Sequence, residues 1–138
     1  MKKKTPAKLK KELWELCKNI TREIYRRNDG NFTCFTCGRT IVSNNDAHTS
    51  HFIPSATCGA YLRYDLRNLR VCCRYCNIWL GGNGSAFYKN LVAEVGQKEV
   101  DKIFVDKNKI IKADIIFYQS KIDEYKERLR NLEKNKRT

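Results

Sequence analysis

Cys34-Phe35-Thr36-Cys37-Gly38 and Cys73-Arg74-Tyr75-Cys76-Asn77 are the stretches from which the fold is read. Each holds a Cys-x-x-Cys knuckle, a short turn that aims two soft thiolates at one place, and two such pairs supply the four ligands of a tetrahedral structural zinc. Gly38 permits the tight bend after the first pair. Buried free cysteines that merely pack are the competing explanation, and two independent spacings of this kind weigh against it. The metal is expected to hold the fold, because an apparent binding energy on the order of 10 kcal/mol or more substitutes for core that a short chain lacks. Cys72 offers an alternative register for the second knuckle, Cys58 is a spare thiol able to ligate, and Cys17 reads as a plain core residue. Between the knuckles stand the chain's only two histidines, His48 and His51.

With 138 residues and 41% hydrophobic side chains, the chain can bury one modest core, which predicts a small α+β unit with appended helices. Lys and Arg number 28 against 15 Asp and Glu, and the formal charge of +13 favours a polyanionic partner, nucleic acid ahead of a membrane surface. No run approaches the roughly 20 apolar residues of a spanning helix, and the Lys2 to Lys4 start lacks the apolar stretch of an export signal. Seven cysteines, an odd number in knuckle spacing, suit a metal in a reducing compartment better than a disulfide framework. A soluble, cytoplasmic protein is the expectation.

Outward from the knuckles, Thr5-Pro6 marks a helix start, since Thr caps free amides and Pro tolerates the first helical position. Leu9, Leu13, Leu16, Cys17, Ile20 and Ile24 then recur at helical spacing, with Lys8, Lys11, Lys18, Arg22 and Arg26 outward, until Asn28-Asp29-Gly30 stops the helix. Arg39 to Ser43 and Ala47 to Phe52 flank Asn44-Asn45-Asp46 and read as a short hairpin with both histidines on its second arm. Ile53 to Asn68 reads as a long irregular crossing, and a loop of that length in a small domain is usually functional. Beyond the second knuckle come a helical turn at Asn77 to Leu80, a breaker at Gly81 to Gly84, a helix from about Ala86 to Val95 capped by Ser85, and a short one over Lys98 to Val105. Tyr118, Ile122, Tyr125, Leu129 and Leu132 form a heptad seam within a final helix of about Ala113 to Glu133, packed on the domain or on a twin. Residues 135–138 are expected to fray. The chain divides into a basic amphipathic helix (1–30), a knuckle-bearing core (31–96) and C-terminal helices (97–138).

Asp46-Ala47-His48-Thr49-Ser50-His51-Phe52-Ile53-Pro54 is the chemically suggestive stretch. Three residues apart on a strand, the two histidines point to opposite faces and need not share a ligand set. Histidine titrates near neutrality and can take a proton from water, and a nearby Asp or second His can bind metal. A His that caps a loop or completes the zinc site explains the pair equally well. Close to the second knuckle, Arg63, Arg67, Arg70 and Arg74 can meet phosphates, and Tyr61, Tyr64 and Tyr75 can stack on unpaired bases, unless half of these aromatics belong to the core.

Asn77, directly after the last knuckle cysteine, makes the chain resemble the HNH, or ββα-metal (His-Me finger), nucleases. In these a hairpin ends in a catalytic His, a linking loop carries an Asn, and a short helix opens on a metal-binding His or Asn. The matching stretches are Ser50-His51-Phe52-Ile53-Pro54, Asp65-Leu66-Arg67-Asn68-Leu69 and Cys73-Arg74-Tyr75-Cys76-Asn77. Asn after a zinc knuckle is similar also to the phage recombination endonuclease VII family, which cuts branched DNA. The closer resemblance is to the lambda-type NinG (Rap) recombination endonucleases. It is carried by Cys34/Cys37, His48 with His51-Phe52, Gly59-Ala60, Leu62-Arg63-Tyr64-Asp65, Cys73/Cys76-Asn77 and Leu80-Gly81-Gly82-Asn83, over about Cys34 to Val105.

The resemblance implies a small zinc-bound ββα-metal core flanked by N- and C-terminal helices. It implies a phage-encoded, metal-dependent endonuclease that hydrolyses phosphodiesters in branched recombination intermediates such as Holliday junctions, D-loops or flaps. In that scheme His51 is the general base, Asn68 orients the histidine loop, and His48 and Asn77 hold one Mg²⁺ or Mn²⁺. Ser50 departs from the Asp that many HNH proteins place directly before the catalytic His, so the first ligand is His48, with Asp46 as the alternative. Branched substrates often call for two active sites, which the seam from Tyr118 to Leu132 could supply through a homodimer. Two other functions compete. A non-catalytic zinc-knuckle module for nucleic acid leaves the order His51, Asn68, Asn77 unexplained, and a sequence-specific HNH nuclease needs a recognition domain for which the chain has little room.

Overall fold

The computed structural model describes residues 4–136. Residues 2 and 3 of the basic start, and 137 and 138 of the stretch expected to fray, lie outside the described residues, whereas 135 and 136 close the last helix. The first helix, α1 (Pro6–Tyr25), begins as the sequence predicts, with the Thr5 hydroxyl accepting from the Lys8 amide and Pro6 in the first turn. It buries Leu9, Leu13, Leu16, Cys17 and Ile20, but Ile24, placed in the apolar stripe by its spacing, is 40% exposed and lines a cleft between this helix and residues 121–128.

Two small antiparallel sheets follow. β1 (Phe32–Thr33) pairs with β2 (Thr40–Ile41), and β3 (Ala47–His51) pairs with β4 (Leu69–Cys73). The hairpin expected across Asn44-Asn45-Asp46 therefore does not form. Those residues make a 3-10 turn capped by the Ser43 hydroxyl, which redirects the chain away from β2. A two-residue β2 offers no ladder for a five-residue strand, whereas β4 pairs β3 along its whole length, from Ala47 opposite Cys73 to His51 opposite Leu69. The crossing between them is mostly irregular, as expected, broken by α2 (Ala60–Arg63) and a 3-10 turn at Leu66–Asn68.

Directly after β4 the chain enters a π-helical turn, Tyr75–Trp79. Gly81, Gly82 and Asn83 all have positive φ, and this left-handed run swings the chain into α3 (Gly84–Val95). Asn83, and not Ser85, occupies the N-cap position, without a side-chain cap bond. α4 (Gln97–Asp106) and α5 (Ile115–Lys136) complete an α+β arrangement of helices around two small sheets.

One apolar cluster joins the knuckles and sheets to α3 and α4 through Phe32, Ile41, Phe52, Val71, Phe87 and Ile103. A second joins α1 to α5: Tyr118, Ile122 and Tyr125 are buried with Leu9, Leu13 and Cys17, and Leu129 and Leu132 lie partly buried beside them. Of the two partners expected for this seam, the domain or a twin, the heptad face meets the domain, packing against α1. Cys17 is the core residue its spacing predicts, its thiol directed to the Tyr64 carbonyl and its pKa pushed up to about 12 by burial.

Candidate functional site

The four knuckle sulfurs come together. A tetrahedral zinc with Zn–S bonds of about 2.3 Å has sulfur–sulfur edges of about 3.8 Å. The Cys37 and Cys73 sulfurs stand 3.8 Å apart, and those of Cys34, Cys37, Cys73 and Cys76 all lie within 4.8 Å of one another. Backbone amides turn toward them, Cys73 N–H donating to the Cys34 sulfur at 3.2 Å and Cys76 N–H to the Cys73 sulfur at 3.4 Å. Such donors favour thiolate over thiol. The Cys72 thiol, then backbone amides and the Thr36 hydroxyl, hold Cys34 well below the ordinary thiol value, while burial and the neighbouring sulfurs push Cys73 up. Four thiolates at this spacing repel unless a cation sits among them, so the set fits a structural zinc. Cys72 stays outside it as a neutral thiol, its pKa raised by the adjacent Cys34 and by burial. Cys58 is buried and directed to the Ile53 carbonyl. The paired register is therefore Cys73/Cys76.

β3 carries the two histidines, and they meet different neighbours. His48 Nδ1 lies 3.1 Å from Asn77 Nδ2, so the turn after the second knuckle reaches back to the strand. Asp46 is exposed and lines a separate cleft with Arg39, Val42, Arg74 and Tyr75, which leaves His48 as the residue beside Asn77. Among the described residues, the four cysteines are the only cluster of three or more His, Cys, Asp or Glu able to hold a metal. His48 and Asn77 are a hydrogen-bonded pair, the Asn77 amide nitrogen facing the imidazole.

His51 is half-buried. Its Nε2 lies 3.0 Å from the Arg63 carbonyl, and Trp14 of α1 stacks on the ring with centroids 5.1 Å apart and planes 10° from parallel. A carbonyl only accepts, so Nε2 carries the hydrogen and Nδ1 of the neutral ring keeps its lone pair. Burial lowers the pKa of His51 from its ordinary value, favouring that neutral form.

Asn68 is fully buried just before β4. Its Oδ1 accepts from Ile53 N at 2.7 Å, its Nδ2 donates to the carbonyls of Ile53 and Leu62 at 3.0 and 3.3 Å, and its own carbonyl accepts from Phe52 N. The side chain clamps Ile53 to the helical turn that carries Arg63, and the Asn68 backbone carbonyl holds Phe52. Asn68→Ala is expected to lower stability by about 2 kcal/mol, since the buried Ile53 amide loses its partner at roughly 1–3 kcal/mol while the Ile53 and Leu62 carbonyls keep the Cys58 thiol and the Asp65 amide as donors. A denaturant titration with a midpoint matching wild type would show that the clamp bears no stress.

The residues read as a DNA-contacting set differ in exposure and in what holds them. Arg70 is only 5% exposed: its guanidinium meets Glu94 at 2.8 Å, donates to the carbonyls of Leu69, Arg67 and Leu66, and lies over the Tyr25 and Phe35 rings. It is a structural tie, because a buried cation must be fully paired. Tyr64, also 5% exposed, packs edge-on against Tyr118. Arg67 is held by Asp65 and Asp106, Arg63 reaches the Ser55 carbonyl, and Tyr61 lies under Lys109. Of the four arginines, Arg74 is the exposed one.

Sequence reasoning missed the wall that α1 adds. A cleft of about 360 Å³ is lined by Trp14, Lys18 and Arg22 on one side and by His48, Thr49 and Asn77 on the other. Residues 14, 18 and 22 recur every four positions and so share one helix face, a stripe visible in the sequence that nothing there connects to the histidines.

Comparison with known proteins gives one family. A family model described as Bacteriophage Lambda NinG protein matches residues 1–135. Protein ninG of Escherichia phage 933W and Protein ninG of Enterobacteria phage VT2-Sa are each 31% identical over 84 residues, covering 61% of this chain and 40% of the relative. The alignment thus spans less than half the length of these relatives. No solved structure matches the chain significantly. No helix of the described residues is long and apolar enough to cross a membrane.

Proposed function

Because the chain belongs to the bacteriophage lambda NinG family, we propose that it is a divalent-metal-dependent endonuclease of the HNH, ββα-metal type that cuts branched DNA. The observation that carries this reading is the meeting of Asn77 at 3.1 Å with His48, on the strand that ends in a ring-oriented His51. Two antiparallel strands followed at once by a helical turn put these groups in the order the chemistry needs: His51 at the end of β3, Asn68 before β4, Asn77 in the turn beyond it.

In the proposed reaction His51 is the general base. The Arg63 carbonyl fixes its Nε2–H, so Nδ1 takes the proton of a water that attacks phosphorus in line with the leaving oxygen. Trp14 and the surrounding burial hold the ring in one plane and keep it neutral. Asn68 positions the loop and touches no reacting atom. A divalent ion held by His48 and Asn77 supplies charge stabilisation to the phosphate oxygens. A zinc held by Cys34, Cys37, Cys73 and Cys76 would tie β4 to the first knuckle and so fix where Asn77 stands. A net charge of +13 supplies the field that gathers DNA.

The test is cleavage of a synthetic four-way junction, a flap and a plain duplex in Mg²⁺, by wild type and by His51→Ala. Metal-dependent cutting of the branched substrates that His51→Ala abolishes supports the reading. Tight binding with no cutting by wild type points instead to a non-catalytic nucleic-acid module, and equal cutting of plain duplex removes branch selectivity.

A further inference from the structure

We propose that α1 supplies the phosphate grip of this site, through Lys18 and Arg22, and that the nucleic-acid backbone runs in the cleft between α1 and the β3 edge. The proposal rests on the reading of the His48–Asn77 cleft as the place where the phosphodiester is cut. Both cations line the cleft of about 360 Å³ opposite His48 and Asn77, one and two turns beyond Trp14, whose ring lies flat on His51. The stripe therefore runs along the cleft wall from the residue that stacks on His51.

The present partners of the two cations are exchangeable. Lys18 pairs with the half-exposed Glu15 at 2.7 Å, within the same helix, and Arg22 donates to the exposed Asn19 side chain at 2.7 Å. Surface contacts of this kind hold a side chain weakly, and a phosphate offers more charge and a better geometry for the guanidinium fork. The contrast with Arg70 and Arg67, whose partners are acidic groups held by the fold, shows why these two and not those are available. A neighbouring cleft of about 420 Å³ between α1 and α5 also carries cations, Arg67, Arg70, Lys121 and Arg128, but Arg67 is paired with Asp65 and Asp106, Arg70 with Glu94 and Lys121 with Glu124, and neither histidine lines it.

The experiment measures equilibrium binding of a labelled four-way junction and a labelled duplex between about 50 and 200 mM salt, in a His51→Ala background so that nothing is cut. Lys18→Ala/Arg22→Ala is compared with Lys98→Ala/Lys102→Ala on α4 and with the charge-keeping Lys18→Arg. Loss of two phosphate contacts lowers the slope of log affinity against log salt by about 1.8, so the affinity ratio across that fourfold salt range shrinks about 12-fold. Lys18→Arg keeps the slope, and the α4 pair changes it less. Zinc content and melting temperature are expected to match the parent, which separates lost contacts from lost fold. An unchanged slope in the folded double variant overturns the grip, even where wild type cuts DNA. A lowered slope in a protein whose wild type never cuts keeps the grip and removes the nuclease reading.

Discussion

Cys73→Ser is expected to unfold the knuckle-bearing part of the chain and release its zinc. Structural zinc contributes on the order of 10 kcal/mol or more, as much as the whole net stability of an ordinary small domain. Here Cys34, Cys73 and Cys76 belong to the apolar core that joins both sheets to α3 and α4, with Cys37 exposed at its edge, so a metal on the four sulfurs would tie the two knuckles of that core together. A strong chelator is expected to do the same to wild type, and acid to do it as protons compete for the sulfurs. Part of the helical signal is expected to survive, because α1 and α5 bury Leu9, Leu13, Cys17, Tyr118 and Ile122 against each other in a separate cluster. Cys72→Ser serves as the control: its neutral thiol donates toward Cys34 and binds no metal, so the variant keeps one zinc per chain. Metal analysis with circular dichroism decides the matter. A Cys73→Ser protein that retains stoichiometric zinc and melts like wild type would sink the assignment.

The parts legible in the sequence are those encoded locally. Knuckle spacing gives the four sulfurs, Thr5-Pro6 gives the start of α1, and the four-and-three recurrence of Tyr118, Ile122 and Tyr125 gives the buried face of α5. What the heptad does not reveal is which surface it meets, since α1 and a second copy would present similar apolar faces. β4 escapes notice because Arg70 interrupts an otherwise apolar run and the knuckle claims its last cysteine. Its partner β3 is distant in sequence, and strand pairing carries no local signal. Arg70 reads as a surface cation until Glu94, on α3, is seen to neutralise it. The site divides the same way. The spacing of three rightly implies that His48 and His51 meet different neighbours, but Trp14 comes to His51 only through the packing of α1 on β3 and β4.

His51→Ala is expected to reduce cleavage by about 10²- to 10⁴-fold, the range for a positioned general base, while leaving DNA affinity close to wild type. The alanine also strips the Arg63 carbonyl of its donor and Trp14 of its stacking partner. His51→Gln is therefore the companion variant, because its amide can still donate to that carbonyl without serving as a base near neutrality. If both variants fold and bind but fail to cut, the lost function is proton transfer; if His51→Gln cuts at the wild-type rate, His51 is structural. The pH profile supplies an independent check. Burial, the leading cause, lowers the His51 pKa, so the ring stays neutral and active at the ordinary histidine value of about 6.5 and the rate falls only at lower pH. The same shift acts on folding: with a folded-state pKa below the unfolded one, the contribution to stability is present above about pH 6.5 and is lost as pH falls through the folded value. Both the acid limb of the rate and this part of the stability profile should vanish in His51→Gln, while acid release of zinc, which belongs to the sulfurs, should remain. An acid limb unchanged in the Gln variant would assign that titration to another group.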